Sequence, residues 1–226
     1  MTLPYNTGQF LEFVGRARIE LEKLSLSIES SSKFEEWRWT PDEYVPPFAF
    51  RAVFRGEGLT NEQLSALRSV NLFALAHEEC YQRNDGKQFS RRELVVYDMT
   101  PQPKPAVMFH ATPRERVNDI LRGGLRPCRL TQQSTTNFPD AERWIHLTAN
   151  ADDALKWLHN PENRKHLPTG KYTLFQVSTE EIGDLFADPY SQWGFVTEAD
   201  QIAPERLKVI ETVVVGQVCE NASASL

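Results

Sequence analysis

The chain has 226 residues, of which 40% are hydrophobic and 25% charged, and a formal net charge of −6. That is the composition of an ordinary globular protein, and no run of eighteen apolar residues offers a helix that would span a bilayer. Residues 1–100 carry 12 basic and 15 acidic side chains and residues 101–226 carry 13 and 16, so each part stands at −3, which argues against the chain-wide basic surface of a general nucleic-acid binder.

Met1 to Gly15 lacks a basic start followed by an apolar run, so no secretory signal is expected. Three cysteines, Cys80, Cys128 and Cys219, have no metal-like spacing. Such a sparse set points to free thiols in a reducing, cytoplasmic compartment. The first element is a helix over Gly8 to Ile28, with Phe10, Phe13, Val14, Ala17, Ile19, Leu21, Leu24 and Leu26 as its apolar face. An aromatic cluster follows, Trp37, Trp39, Tyr44, Phe48, Phe50 and Phe54, interrupted by Pro46-Pro47. Phe48–Phe54 reads as a strand. Thr60-Asn61-Glu62-Gln63 has the form of a capping box. It opens a helix that keeps Leu64, Leu67, Asn71, Ala74 and Leu75 on one side. Leu94–Tyr97 has the character of a buried strand. Nothing in residues 1–100 carries a catalytic signature, and they read as a packed accessory region.

Thr100-Pro101-Gln102-Pro103-Lys104-Pro105 marks a boundary, because prolines at alternate positions continue neither a helix nor a central strand. Residues 105–218 are expected to form the main domain and residues 219–226 a frayed tail. Ala106–Ala111 reads as a strand. Thr112 is expected to cap a helix with Pro113 at its first position and Glu115 completing a second capping box. Val117, Ile120 and Leu121 form its buried side, and Gly123 or Gly124 ends it. A strand over Trp144–Thr148 and a helix capped by Asn150 and running through Leu158 follow. Then come a strand over Tyr172–Val177, a short helix capped by Ser178 with Glu181, and strands over Phe195–Thr197 and Lys208–Val215. Short strands interleaved with short helices predict an α+β fold.

The common chemical motifs are missing: there is no phosphate-binding Walker loop, no Gly-x-Gly-x-x-Gly and no Gly-x-Ser-x-Gly. His159 and His166 are seven residues apart and flanked by Pro161 and Pro168, so no metal site is expected. Two segments stand out. Phe109-His110-Ala111-Thr112 and Ile145-His146-Leu147-Thr148 are each an apolar strand with a histidine and, two residues later, a threonine. Two strand-borne histidines with nearby hydroxyls fit a polar cleft. A core or surface histidine is the competing explanation. Arg114, Arg116, Arg122, Arg126 and Arg129 form a local basic run after the first segment.

These segments, with Ile120-Leu121, Gly124-Leu125-Arg126-Pro127 and Asp153-Ala154, resemble the ADP-ribosyltransferase superfamily. The phrasing is nearest to RNA 2′-phosphotransferases and DNA-modifying ADP-ribosyltransferase toxins, which links the chain to toxin or defence roles. Residues 107–158 carry the likeness well, and Tyr172–Val177 and Phe195–Val215 carry it loosely. Ala111 departs from the glycine often found there, and the arginine set that reads a 2′-phosphate is not evident.

The resemblance implies a split β-sheet with short flanking helices, NAD as co-substrate, and transfer of ADP-ribose to a protein or nucleic-acid acceptor with release of nicotinamide. An RNA 2′-phosphotransferase-like reaction and a non-catalytic NAD, ADP-ribose or nucleic-acid binding module are the alternatives. It assigns catalytic roles to His110, Glu198 and His146, with Asp200 in reserve for Glu198. It assigns cofactor contacts to His110, Thr112, Arg114, Arg116, Thr148 and Tyr172. A helix N-terminus with arginines suits a pyrophosphate, and a carboxylate suits an oxocarbenium-like state.

Overall fold

The computed structural model describes residues 7–24, 49–53, 59–82, 86, 88–127, 143–159, 167, 169–188 and 194–215. The expected cluster Trp37, Trp39, Tyr44, Phe48 and Phe54, together with Arg129, Cys128, His166, Cys219 and the tail, lies outside the described residues. The described elements are helices α1 (Thr7–Lys23), α2 (Asn61–Ser69), α3 (Val117–Gly123) and α4 (Ala151–His159), and two sheets. One sheet has the order β1-β3-β2, from β1 (Ala49–Val53), β2 (Leu72–Gln82) and β3 (Gln88–Asp98). The other has the order β7-β8-β5-β4-β6-β9, from β4 (Val107–Pro113), β5 (Ile145–Thr148), β6 (Gly170–Ser178), β7 (Phe186–Ala187), β8 (Gly194–Thr197) and β9 (Leu207–Val215). The architecture is mixed α+β. Among the described residues no helix is long and apolar enough to cross a membrane.

The chain divides into two compact units, 1–103 with 184–195, and 104–183 with 196–226. The division between Pro103 and Lys104 falls inside the proline-rich stretch. Asp184–Phe195 groups with the first unit, although by sequence it belongs with the main domain.

In the first unit, Phe13, Ala17 and Leu21 recur every four residues on α1 and are buried with Leu67, Leu72 and Leu94. Ile19, expected on that face, is 54% exposed. It lies two residues, about 200°, around the helix from Ala17. The capping box at α2 forms: the Gln63 amide donates to Thr60 Oγ1 at 3.2 Å, and the Thr60 amide donates to Gln63 Oε1 at 2.9 Å. The helix is shorter than its apolar pattern predicts. It stops at Ser69, and Asn71 turns the chain with φ 57°. Asparagine tolerates this left-handed conformation, so Ala74 and Leu75 enter β2 instead of a helix face. β2 pairs antiparallel with β3 from Leu72↔Asp98 to Gln82↔Gln88, and β1 pairs with the other edge of β3. As the middle strand, β3 buries Leu94, Val95, Val96 and Tyr97. At its end, Asp98 Oδ1 accepts from Arg16 at 2.6 Å and from the Thr100 hydroxyl at 2.6 Å. Burial pushes the Asp98 carboxyl above its ordinary value, and the Thr100 hydrogen bonds oppose that rise.

In the second unit, β4 pairs antiparallel with β5 on one edge and with β6 on the other, and β6 pairs antiparallel with β9. The second expected capping box does not form. Thr112 and Pro113 remain in β4, Arg114–Arg116 make a single 3-10 turn, and neither that turn nor α3 has a side-chain cap. Ladder pairing of Thr112 with Thr173 and of Pro113 with Tyr172 extends the strand past the expected cap. α3 buries Val117 and Ile120 but leaves Leu121 42% exposed. Gly124, at φ 77°, ends α3 with its amide on the Ile120 carbonyl at 2.8 Å. Asn150 caps α4: its Oδ1 accepts from the Asp153 amide at 2.8 Å, and its Nδ2 donates to Asp153 Oδ2 at 2.7 Å. The helix expected after Ser178 is a turn, with Glu181 at φ 63° and the Ile182 amide on the Thr179 carbonyl at 3.2 Å.

The capping box at α2 sets a measurable term. Thr60→Ala should lower the stability of the protein by about 1 kcal/mol, whereas Thr60→Ser should keep most of it. Urea denaturation of the three proteins checks this, and equal midpoints would mean that the box contributes nothing.

Candidate functional site

Side chains alternate along a strand, and in-register antiparallel partners share a face. The β4–β6 register therefore sorts the expected site residues. Met108↔Val177, His110↔Phe175 and Thr112↔Thr173 lie on one face of the sheet. Phe109↔Gln176, Ala111↔Leu174 and Pro113↔Tyr172 lie on the other. His110 and Thr112 thus stand side by side on one face, with Phe175 directly across from His110. Met108, Phe175 and Val177 are fully buried, so His110, Thr112 and Thr173 are polar groups on a largely apolar face.

His110 is partly buried. Its Nδ1 lies 2.9 Å from the backbone oxygen of His146. A carbonyl only accepts, so Nδ1 carries the proton and Nε2 presents a lone pair when the ring is neutral. Among the described residues, no hydrogen bond is made to Nε2. Desolvation pushes the His110 pKa down to about 4; the positive charge of a protonated His146 and that of Arg116 push the same way, against the hydrogen bond to His146. At neutral pH His110 is therefore an uncharged imidazole with one nitrogen committed and the other able to accept a proton from a ligand hydroxyl or amide.

The remaining residues are distributed unevenly. Thr112 is buried, 3% exposed, on the face of His110. Arg114 and Arg116 are exposed on the turn that follows β4, and Arg116 is close enough for its charge to bear on His110. His146 reaches His110 through its backbone oxygen. The Phe109↔Thr148 pair puts Thr148, and by alternation the His146 ring, on the face away from His110. Thr148 Oγ1 donates to the Asn150 carbonyl at 3.0 Å and is 3.5 Å from that of Phe109. Tyr172, expected to touch the cofactor, lies on the face opposite His110, 2% exposed, and packs with Leu158 and Val215 and against Ala111 and Leu155. Even alternation from Thr112↔Thr173 requires this. Burial raises its phenol pKa, and the Glu115 carboxylate adds to the rise. Glu198 is exposed and directly follows β8.

Sequence reasoning overlooked Thr173. It is fully buried across from Thr112, and its Oγ1 is 3.5 Å from that of Thr212 on β9. Alternation along β6 separates Thr173 and Phe175 from Tyr172 and Leu174, and the register with β4 puts the first pair on the face of His110. Among the described residues, no group of three or more His, Cys, Asp or Glu side chains is placed to hold a metal ion. Comparison with protein-family models and with curated proteins gives no match for this chain.

The environment of His110 has a pH signature. Its folded pKa lies below the ordinary 6.5, so its stabilising contribution is fully present above that pH. Between 6.5 and about 4 the unfolded chain takes up a proton that the folded chain refuses, and the contribution is lost. A shift of this size corresponds to about 3 kcal/mol. The His110 ring should titrate near pH 4 by NMR, and His110→Gln should flatten the loss of stability across this window. A midpoint at or above 6 would contradict the assignment of a desolvated neutral ring.

Proposed function

We propose that the second unit is an NAD-dependent ADP-ribosyltransferase domain. The observation that supports this most strongly is strand adjacency. Motif residues at positions 110, 146 and 198 are far apart in sequence. They fall on, or directly after, three consecutive strands of one sheet, in the order β8-β5-β4. Neighbouring strands bring these distant positions into one region of the sheet, which is what a shared site requires. The split-sheet fold of that superfamily is part of this proposal.

The chemistry assigned to each residue follows from its state. The bond between the nicotinamide nitrogen and ribose C1′ breaks, its electron pair leaves with nicotinamide, and C1′ gains oxocarbenium character. A nucleophile of the acceptor protein or nucleic acid then bonds to C1′ and releases its proton to solvent. His110 Nε2 accepts from a ribose hydroxyl or from the carboxamide, and because the ring is neutral it adds no positive charge beside the developing cation. Thr112 supplies a hydroxyl on the same face. Arg114 and Arg116 are exposed on the turn after β4 and suited to the diphosphate. Glu198 supplies the anion that stabilises the cation in the transition state. His146 enters through its carbonyl, which fixes the His110 tautomer, and Tyr172 has no part in binding.

Three measurements test this. NAD at millimolar concentration should raise the melting temperature, because a ligand that binds only the folded state stabilises it. Glu198→Gln should reduce nicotinamide release by roughly a hundredfold while NAD affinity changes little, since the charge acts mainly in the transition state. His110→Ala should lose binding and turnover while the protein stays folded. Binding of NAD without nicotinamide release, with protein and nucleic-acid acceptors both supplied, would instead identify a binding module. Release that depends on a 2′-phosphorylated RNA would identify the phosphotransferase reaction.

A further inference from the structure

One motif has no role in the chemistry above, Gly124-Leu125-Arg126-Pro127 after α3, and the fold sets it against Gln201-Ile202-Ala203-Pro204, the stretch that follows Glu198. Leu125 and Ile202 form an isolated antiparallel bridge, with the Leu125 amide on the Ile202 carbonyl at 2.9 Å and the Ile202 amide on the Leu125 carbonyl at 2.7 Å. Both side chains are buried. The Gln201 amide nitrogen donates to the Gly123 carbonyl at 2.6 Å, and Arg126 is 3.4 Å from Gln201 Oε1. The approach is so close that a Cβ on Gly124 would lie 2.5 Å from the Ile202 oxygen and 2.7 Å from Gln201 Nε2. Gly124 is also at φ 77°, where other residues are strained.

The segment between β8 and this bridge is four residues long, Glu198 to Gln201, and it is held at both ends. At one end Thr197 is fully buried in β8, and its hydroxyl accepts from the Ala199 amide at 3.4 Å. At the other end stand the Gln201 side chain and the Leu125–Ile202 bridge. An exposed glutamate on a free loop would spread its carboxylate over many positions. Here the backbone on either side is fixed to the sheet and to the end of α3, the helix that follows the His110 strand.

We propose that Gly124 and Gln201 are positioning residues that set the Glu198 carboxylate relative to the His110 strand. The proposal rests on the transferase reading of the same site. Neither residue touches the reacting atoms; each acts through Glu198. Misplacing a reacting group by about 1 Å can cost a hundredfold in rate, and loosening one of two anchors should cost less than that. Gln201→Ala should therefore lower kcat for nicotinamide release roughly tenfold, with KM for NAD within about twofold, since ground-state binding is carried by the β4 groups. Gln201→Glu, which keeps the size but cannot donate to the Gly123 carbonyl, should fall with it.

The deciding measurement is a double-mutant cycle with Glu198→Gln. If Gln201 acts through Glu198, Gln201→Ala should cost nothing more once the Glu198 charge is gone. An undiminished tenfold loss in that background overturns the proposal, as does wild-type kcat in Gln201→Ala itself. Nicotinamide release by the wild-type protein is the separate control for the transferase reading. If it is absent with every acceptor, that reading fails, and amide exchange then decides the clamp alone. In the Gln201→Ala and Gly124→Ala proteins the Leu125 and Ile202 amides should lose protection, with exchange across Glu198–Ile202 rising together. Unchanged protection in both proteins would show that the two residues anchor nothing.

Discussion

The second unit is organised by one constraint: β4 has a strand on each of its edges, so its backbone is committed in both directions. The seven residues Val107–Pro113 are matched to β6 along their whole length and to β5 at Phe109. A strand placed in this way cannot slip by one residue without turning every side chain to the wrong face. That register keeps His110 and Thr112 together, sends Phe109 and Ala111 the other way, and aligns Phe175 with His110. The helix after β4 starts only where the ladder ends, so the turn bearing Arg114 and Arg116 is held at the end of the strand that carries the histidine.

His110 illustrates how a polar group is tolerated on an apolar face. Burying an unbonded imidazole is unfavourable, and burying a charged one more so. The carbonyl of His146 satisfies one nitrogen, while the surroundings disfavour protonation of the other. The result is a group of fixed tautomer and fixed charge. A histidine held in that state offers a directional acceptor without competing for a cation. The charge of Arg116 reinforces the same state from outside the strand.

The opposite end of the sheet is managed differently. Among the described residues β9 has β6 on one side and is the last strand in the order, and Val209, Ile210 and Val214 are exposed along it. An apolar edge of this kind invites pairing with another chain. The ladder shifts register between Leu174 and Phe175, so that Glu211 faces Leu174, Val209 faces Phe175, and Ile210 is the extra residue. A bulge bends and twists a strand, and Lys208 and Glu211 place charge within the same exposed stretch. Both features oppose regular pairing at that edge.

Local chemistry was legible in the sequence wherever its cause was local. The Thr60–Gln63 box, the Asn150 cap, the left-handed stop at Gly124 and the buried run of β3 each follow from a few neighbouring residues, and each forms. The errors occurred where two local signals competed and only a distant partner decided. Thr112-Pro113 has the form of a helix start, yet pairing with Tyr172 and Thr173, some sixty residues away, keeps it in a strand. Ala74 and Leu75 continue a helical apolar pattern, yet pairing with Val96 and Val95 draws them into a sheet. For the candidate site, residue types and strand ends could be read from the chain, but faces could not. Tyr172 and Thr173 are adjacent in sequence, and only the register with β4 decides which of them joins His110. In the same way, the link between Leu125 and Ile202 depends on chain closure over many residues, which no short motif encodes. The sequence by itself determined which polar groups stand at the strand ends and, at Thr60 and Asn150, where helices are capped. The tertiary structure decided which of those groups meet, because hydrogen-bond register between distant strands is a property of the pair and not of either strand alone.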